Sequence, residues 1–312
     1  MFEIIQKLSD IAPRYGVYES KTIEFITSEL DKIGIQYQTE PYKSSVPYFM
    51  KAELFADNIS IPCLGSSLVS GKIENGDHLI SAFGNSGENH PFNISYSPIT
   101  DEISVVDIYR QPSVTISRSS VIQIVMAKEV WGSVKVDREY FTSANILVGN
   151  LVNPQTIVIA HFDSMFVGKG ALDNAAAISI MFEIIKNDPK IIENNLLIFT
   201  GNEEVSYDNY ITKSGYGFRK FEERHIDILK NCKQIIVIDG IGVSDASFSQ
   251  NGLDWVLQVK CLDEIRNKVF WLQNDQSEVL KYFHTKADTI KVIQEKYLQQ
   301  AFLSLTDKLT NP

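Results

Sequence analysis

The stretch TIVIAHFDSMFVGKGALDNAAAISIMFEII, residues 156–185, constrains the fold more than any other part of the chain. Its opening, Thr156 to Ala160, is a short apolar run of the kind found in parallel strands covered on both faces. A polar loop carrying His161, Asp163 and Asp173 follows, and then an apolar run that predicts a helix packed on the sheet. Strand, loop and helix start make half of an α/β crossover. In open α/β sheets ligands bind beyond the carboxyl ends of the strands, where this loop must lie. Imidazole and carboxylate together at such a place point first to a metal.

The same texture continues downstream. Strands are predicted at 145–149, 156–160, 196–200, 235–239, 255–260 and 269–273, and helices at 173–186, about 218–231, and 291–309. Upstream, residues 2–11 and 20–33 show helical spacing, with Ser20 as a cap and Gly34 as a stop. Residues 35–150 differ. The runs ISIPCL, SVVDIY, SVTISR, VIQIVM and SVKVDR are broken by Gly, Pro and Asn, and Asn75-Gly76 is a hairpin signal. They predict a β-rich segment, about 43–143, inserted within a single domain that spans residues 1–312.

Bulk properties remove several classes of function. The net charge is −10, from 29 basic against 39 acidic residues, which opposes nucleic-acid binding. Cys63, Cys232 and Cys261 are scattered and odd in number, so neither a disulfide framework nor a CxxC metal site is indicated. The start MFEIIQKLSD does not read as a signal peptide, and no apolar stretch is long enough to span a bilayer. A cytoplasmic protein with no membrane partner is expected, in which the sequons at Asn58 and Asn93 carry no meaning.

The chemistry gathers at strand ends. His161 follows TIVIA, Asp173 comes twelve residues later, Glu203-Glu204 follow LLIFT and Gly201-Asn202, and Asp239 closes IIVID. His284 precedes the last helix, with Asp288 four residues beyond it. Singly these residues have plain readings. An aspartate at a helix start is usually a cap, paired glutamates usually form a solvated face, and lone histidines such as His78, His90 and His225 are usually structural or exposed. Arriving together at one sheet edge, the set suits metal ligation better than capping. Zinc takes imidazole and carboxylate ligands, and two ions sharing one carboxylate form a hydrolytic site. Asp173 is able to bridge, with His161 and Asp239 on one ion and Glu204 and His284 on the other. Glu203 is then left to act as general base, and Asp163 to orient His161.

HFDS, GALDNAAA, GNEE, IDGIG and FHTKADT, taken in order over residues 150–312, resemble the co-catalytic di-zinc aminopeptidase family. That family also holds glutaminyl cyclases and transferrin-receptor-like carboxypeptidases. The resemblance implies a mixed, largely parallel central sheet sandwiched between helices, and the same ligand set: His161 and Asp239, Glu204 and His284, with Asp173 shared. It implies Glu203 as base, Asp163 in support, and two Zn2+ per chain. The implied activity is aminopeptidase action on a peptide with a free N-terminus. Tyr207, Tyr210 and Tyr216 follow Glu204 closely and are candidate substrate contacts, with a packing role as the alternative. Asn202 departs from the pattern, since many relatives place a small residue before the two glutamates. The 45 residues from Asp239 to His284 are also shorter than the family pattern.

Other readings remain. Ser214-Gly215-Tyr216-Gly217 is faintly similar to the single-zinc glutaminyl cyclases, whereas Asp173-Asn174 is the hydrolase form. A non-catalytic relative acting as a binding protein usually loses ligands, and none is lost here. Gly168-Lys169-Gly170 lacks the third glycine of a dinucleotide fingerprint, and no GxSxG elbow is present. Cobalt or manganese suits the same donors. Side-chain preference and oligomeric state are not encoded in these motifs.

Overall fold

The computed structural model describes residues 1–74, 79–82 and 93–310. The hairpin signal at Asn75-Gly76 and the histidines His78 and His90 lie outside the described residues. Helices α1 (Phe2–Ile11) and α2 (Glu19–Lys32) precede a long strand, β1 (Gln38–Ala56). Short strands follow: β2 (Ile59–Ser60), β3 (Cys63–Gly65), β4 (Gly71–Glu74), β5 (Leu79–Ser81), β6 (Ile94–Tyr96) and β7 (Val114–Ile116). Helix α3 (Val121–Met126) leads to a second long strand, β8 (Val130–Gly149). The remainder alternates: β9 (Thr156–His161), α4 (Ala176–Asn187), α5 (Ile191–Asn194), β10 (Asn195–Thr200), α6 (Tyr216–Asn231), β11 (Gln234–Ile238) and β12 (Ser247–Ser249). It closes with α7 (Leu253–Val256), α8 (Leu262–Ile265), β13 (Val269–Gln273), α9 (Gln276–Val279) and α10 (Glu295–Thr310).

The chain forms two compact units, Met1–Ser44 with Tyr140–Val279 and Asp288–Pro312, and Ser45–Glu139 with Leu280–Ala287. In the first unit the strand order is β12-β13-β11-β9-β10-β8-β1. Strands β13, β11, β9 and β10 are parallel, and β12 and β8 run antiparallel to their partners. Strands β10 and β11 flank β9 on opposite sides, so the strand order reverses there, which is where such sheets bind ligands. Successive side chains point to opposite faces. Ile157, Ile159, Ile198 and Val237 pack with Phe218 and Phe221 of α6 and Leu253 of α7. On the other face Phe199 meets Phe182 of α4, with ring centroids 5.4 Å apart, and α4 packs against α1 and α10. Each such buried side chain contributes roughly 1.5–3 kcal/mol. The sheet is mixed, largely parallel and sandwiched by helices, as the sequence implies.

Three local expectations are corrected in this unit. Residues 255–260 form no strand; α7 ends at Val256, and Leu257 and Val259 continue as irregular chain buried under α6. Their apolarity records burial, and the strand paired to β13 on that side is β12. Ser20 is not the cap of α2, which starts at Glu19 after a tighter turn at Gly16–Tyr18; its Oγ donates back to the Val17 carbonyl. Gly34 does end that helix, at φ +70°, with Gly34 and Ile35 N–H groups returned to Asp31 and Leu30. Finally, α4 starts at Ala176, and Asp173 lies before it in a wide turn, Ala171–Ala175, whose Asp173-Asn174 peptide is cis.

In the second unit β1 and β2 form a hairpin, with Asp57 and Asn58 both left-handed, so Asn58 is a turn residue. Strand β4 pairs with β8, and β3-β7-β6-β5 make a separate sheet over a core including Leu54, Ile73, Ile94 and Val114. VIQIVM, grouped with the alternating runs, is helix α3: Ile124 enters the core while Ile122, Val125 and Met126 are exposed. SVVDIY forms no strand, and Tyr109 makes an isolated bridge to Ser67. Among the described residues no helix is long and apolar enough to cross a membrane.

Candidate metal centre

His161 is the last residue of β9, Glu203 and Glu204 lie in the turn after β10, and Asp239 directly follows β11. Register places Thr200 of β10 beside His161, so the loops leaving these strands start level with one another. His161, Asp173 and Glu204 each offer a ligand atom, all mutually within 4.8 Å, and all three residues are buried. His161 Nε2 stands 3.0 Å from Asp173 Oδ1 and 3.7 Å from Asp239 Oδ1. Nitrogen and oxygen donors converging in this way fit zinc. Asp163, Asp173, Glu203 and Glu204 are buried together, and burial of several carboxylates is costly unless a cation or bound protons offset their charge.

The turn bearing the glutamates is gripped from below. Asp163 Oδ1 accepts the Glu203 N–H and Oδ2 accepts the Glu204 N–H, both at 3.0 Å. Its separation from His161 Nδ1 is 3.4 Å, longer than a usual hydrogen bond. The two backbone bonds are therefore shorter than its approach to the ring. Glu204 Oε1 accepts the Met165 N–H at 3.0 Å. Asn202 has φ +48°, a conformation asparagine tolerates better than most residues. Its side chain accepts from Ser44 Oγ and donates to the Val205 carbonyl. The departure at this position thus supplies both the left-handed bend and two anchors for it. Tyr42 Oη donates to the Gly201 carbonyl at 2.7 Å, and buried Glu19 accepts from Ser143 Oγ and the Asn202 N–H.

These positions explain the titration behaviour. Burial pushes the Glu203 carboxyl well above the usual range; His161 opposes that, and Glu204, Asp163 and Asp239 reinforce it. Burial acts against a charged His161, but Asp163, Asp173 and Asp239 more than offset it and hold the ring well above its ordinary value. Glu19 is raised well above its usual range by burial and then by Asp163. Burial pushes Asp288 up to about 7, with the Leu172 N–H opposing.

The remaining sequence candidates fall as follows. Tyr210 lays its ring 4.3 Å from the Arg219 guanidinium and donates its hydroxyl to Val259 O, and Tyr216 donates to Lys43 O. Tyr207 is half-buried in the same loop. His284 belongs to the second unit, at φ +53°, with its Nδ1 2.8 Å from Val105 O. His225 lies on α6 and bonds Glu40 at 2.8 Å, a structural histidine. Sequence reasoning missed Arg14 and Glu19, and gave no role to Asp288, whose oxygens accept the Leu172 and Asp173 N–H groups. The available signal was slight: IAPRYG breaks two amphipathic helices, and nothing in it marks the arginine as buried.

Residues 146–258 match the family described as Peptidase family M28. No curated protein sequence matches the chain. Among solved structures, the chain is similar to BSAP, a zinc aminopeptidase from Bacillus subtilis, with TM-score 0.69 and 16% identity over 98% of this chain and 92% of that one. An aminopeptidase from Aneurinibacillus sp. strain AM-1 gives 0.64 and 16% over 99% and 91%. A Porphyromonas gingivalis glutaminyl cyclase gives 0.54 and 11% over 99% and 96%. At these identities the likeness is one of fold. The protein thus shares the α/β fold of these structures, and residues 146–258 of it resemble Peptidase family M28, as its motifs imply. Family and donor set together support a zinc-dependent hydrolase.

Proposed function

We propose that the protein is a zinc-dependent aminopeptidase, cytoplasmic, removing N-terminal residues from peptides. The observation that carries this reading is the buried convergence of His161, Asp173 and Glu204, with the raised carboxyl of Glu203 next to Glu204 in the chain. His161, Asp173, Glu204 and Asp239 would hold zinc from the first unit; His284 as a further ligand, and a count of two ions, rest on the sequence resemblance. Zinc bound there would polarise a scissile carbonyl and make water acidic enough to attack near neutral pH. Glu203 takes the proton of the attacking water on its carboxylate and returns it to the leaving amine. A raised pKa suits a group that must do both. The excess of buried carboxylates favours a substrate presenting a positive α-amine.

The test is hydrolysis of aminoacyl p-nitroanilides together with zinc content. Glu203→Ala is expected to keep its zinc and lose turnover by about 10²- to 10⁴-fold. Full activity in that variant would remove the base assignment. A wild type that cyclises N-terminal glutamine but releases no amino acid would replace the peptidase reading with a cyclase, and one that binds no zinc would end both.

A further inference from the structure

We infer that Arg14 is a positioning residue that closes the loop joining His161 to Asp173 and thereby sets how tightly the site holds a metal; this rests on the metal reading above. His161 and Asp173 are twelve residues apart in sequence, yet Nε2 and Oδ1 are 3.0 Å apart. A loop whose ends must meet so closely carries an entropic cost of closure, which a cross-link between its ends offsets before any metal arrives.

Arg14 is such a cross-link. It is completely buried. Nε donates to Phe162 O at 2.6 Å and Nη2 to Asp163 O at 3.5 Å, just after His161. Nη1 donates to Lys169 O and Nη2 to Gly170 O, both at 2.8 Å, just before Asp173. Nη1 also reaches Leu8 O at 3.3 Å on α1, and the Arg14 main chain exchanges bonds with Ser164. Every one of these guanidinium bonds goes to a carbonyl oxygen. Such a fork of five donors in fixed geometry belongs to arginine alone.

Asp288 completes the clamp with acceptor oxygens. Its carboxylate receives the N–H groups of Leu172 and Asp173, and its carbonyl accepts the Lys169 N–H at 3.0 Å. A guanidinium thus holds the carbonyls of the loop while the Asp288 carboxyl group holds N–H groups at its far end. The fit is tight: at Gly170, with φ +59°, an added Cβ would lie 2.6 Å from Arg14 Nη2 and 2.5 Å from Ser164 Cβ.

The experiment compares zinc dissociation constants, by competition with a chromophoric chelator, for wild type, Arg14→Met, Arg14→Lys and Leu305→Ala. The visible spectra of the cobalt-substituted proteins are recorded alongside. Leu305 is a buried residue of α10, and its truncation lowers stability without touching the loop. Arg14→Met is expected to weaken zinc binding roughly 10- to 100-fold and to alter the cobalt bands, with Arg14→Lys intermediate because its three donors satisfy only part of the set. Leu305→Ala is expected to melt earlier yet bind zinc as the wild type does. Wild-type affinity and spectrum in Arg14→Met would overturn the inference, as would equal weakening in Leu305→Ala. Should Arg14→Met fail to fold, Arg14→Lys decides on the same terms. A wild type that binds no zinc would instead remove the metal reading itself.

Discussion

Replacing Asp163 with asparagine separates two accounts of that residue. In the structure both oxygens accept backbone N–H groups, from Glu203 and Glu204, at 3.0 Å each. An asparagine has one oxygen and one NH2, so either orientation of the amide turns its NH2 toward one of those donors. The variant loses one charge-assisted bond, worth about 1.5–3 kcal/mol, and leaves one N–H without an acceptor, at about 1–3 kcal/mol. The sum is roughly 2.5–6 kcal/mol, a large part of a typical 5–15 kcal/mol stability. A chain of this size should then melt about 5–15 °C lower. Displacement of Glu203 by about 1 Å should cost on the order of 10² in kcat even with zinc saturating. If Asp163 merely oriented His161, the amide oxygen could still accept from Nδ1, and the loss would appear as about 10- to 100-fold weaker metal binding with near-normal melting. The assay is thermal unfolding and kcat on aminoacyl p-nitroanilides, both at saturating zinc. A variant with unchanged kcat and a melting point within about 1 °C of wild type would refute the reasoning.

Two further outcomes follow from the same geometry. At Gly217 an added Cβ would lie 2.1 Å from Gly201 O and 2.4 Å from Thr200 Oγ1, so Gly217→Ala must push α6 away from the end of β10. A loss of roughly 1–3 kcal/mol is expected in denaturant titration, with a fall in kcat, and a neutral effect would contradict the close approach. Asp288 titrates near 3.8 when unfolded and about 7 when folded without metal, so between those values the folded chain binds more protons and stability falls as pH rises. The full interval corresponds to at most about 4 kcal/mol. The melting temperature of chelator-treated protein should therefore drop from about pH 5 to pH 7.5, and Asp288→Asn should flatten that slope; a rise over the same interval would contradict the assignment.

What the sequence discloses and what it hides divide along the range of the interactions. TIVIA, LLIFT and IIVID are legible because a strand covered on both faces must be apolar throughout. Residues that end such strands are necessarily brought to one edge, so His161, Glu203, Glu204 and Asp239 follow from adjacency to those runs. Apolarity alone misleads where burial and secondary structure part company. Leu257 and Val259 are buried without being strand, and VIQIVM alternates yet forms a helix that leaves Ile122 and Met126 in solvent. Asp163, 3.4 Å from His161 Nδ1, is legible only in part. Its place two residues after His161 suggests service to that ring, while its bonds go to N–H groups 40 and 41 residues downstream. Arg14 is further from legibility, because a charged residue reads as exposed and its acceptors are main-chain carbonyls about 150 residues away. Main-chain carbonyls exist at every residue and leave no mark in composition or spacing. Side chains that contact a metal are chosen by element chemistry and are therefore readable as motifs. Those that hold the ligand-bearing backbone in place are chosen by geometry alone, and only the folded structure discloses them.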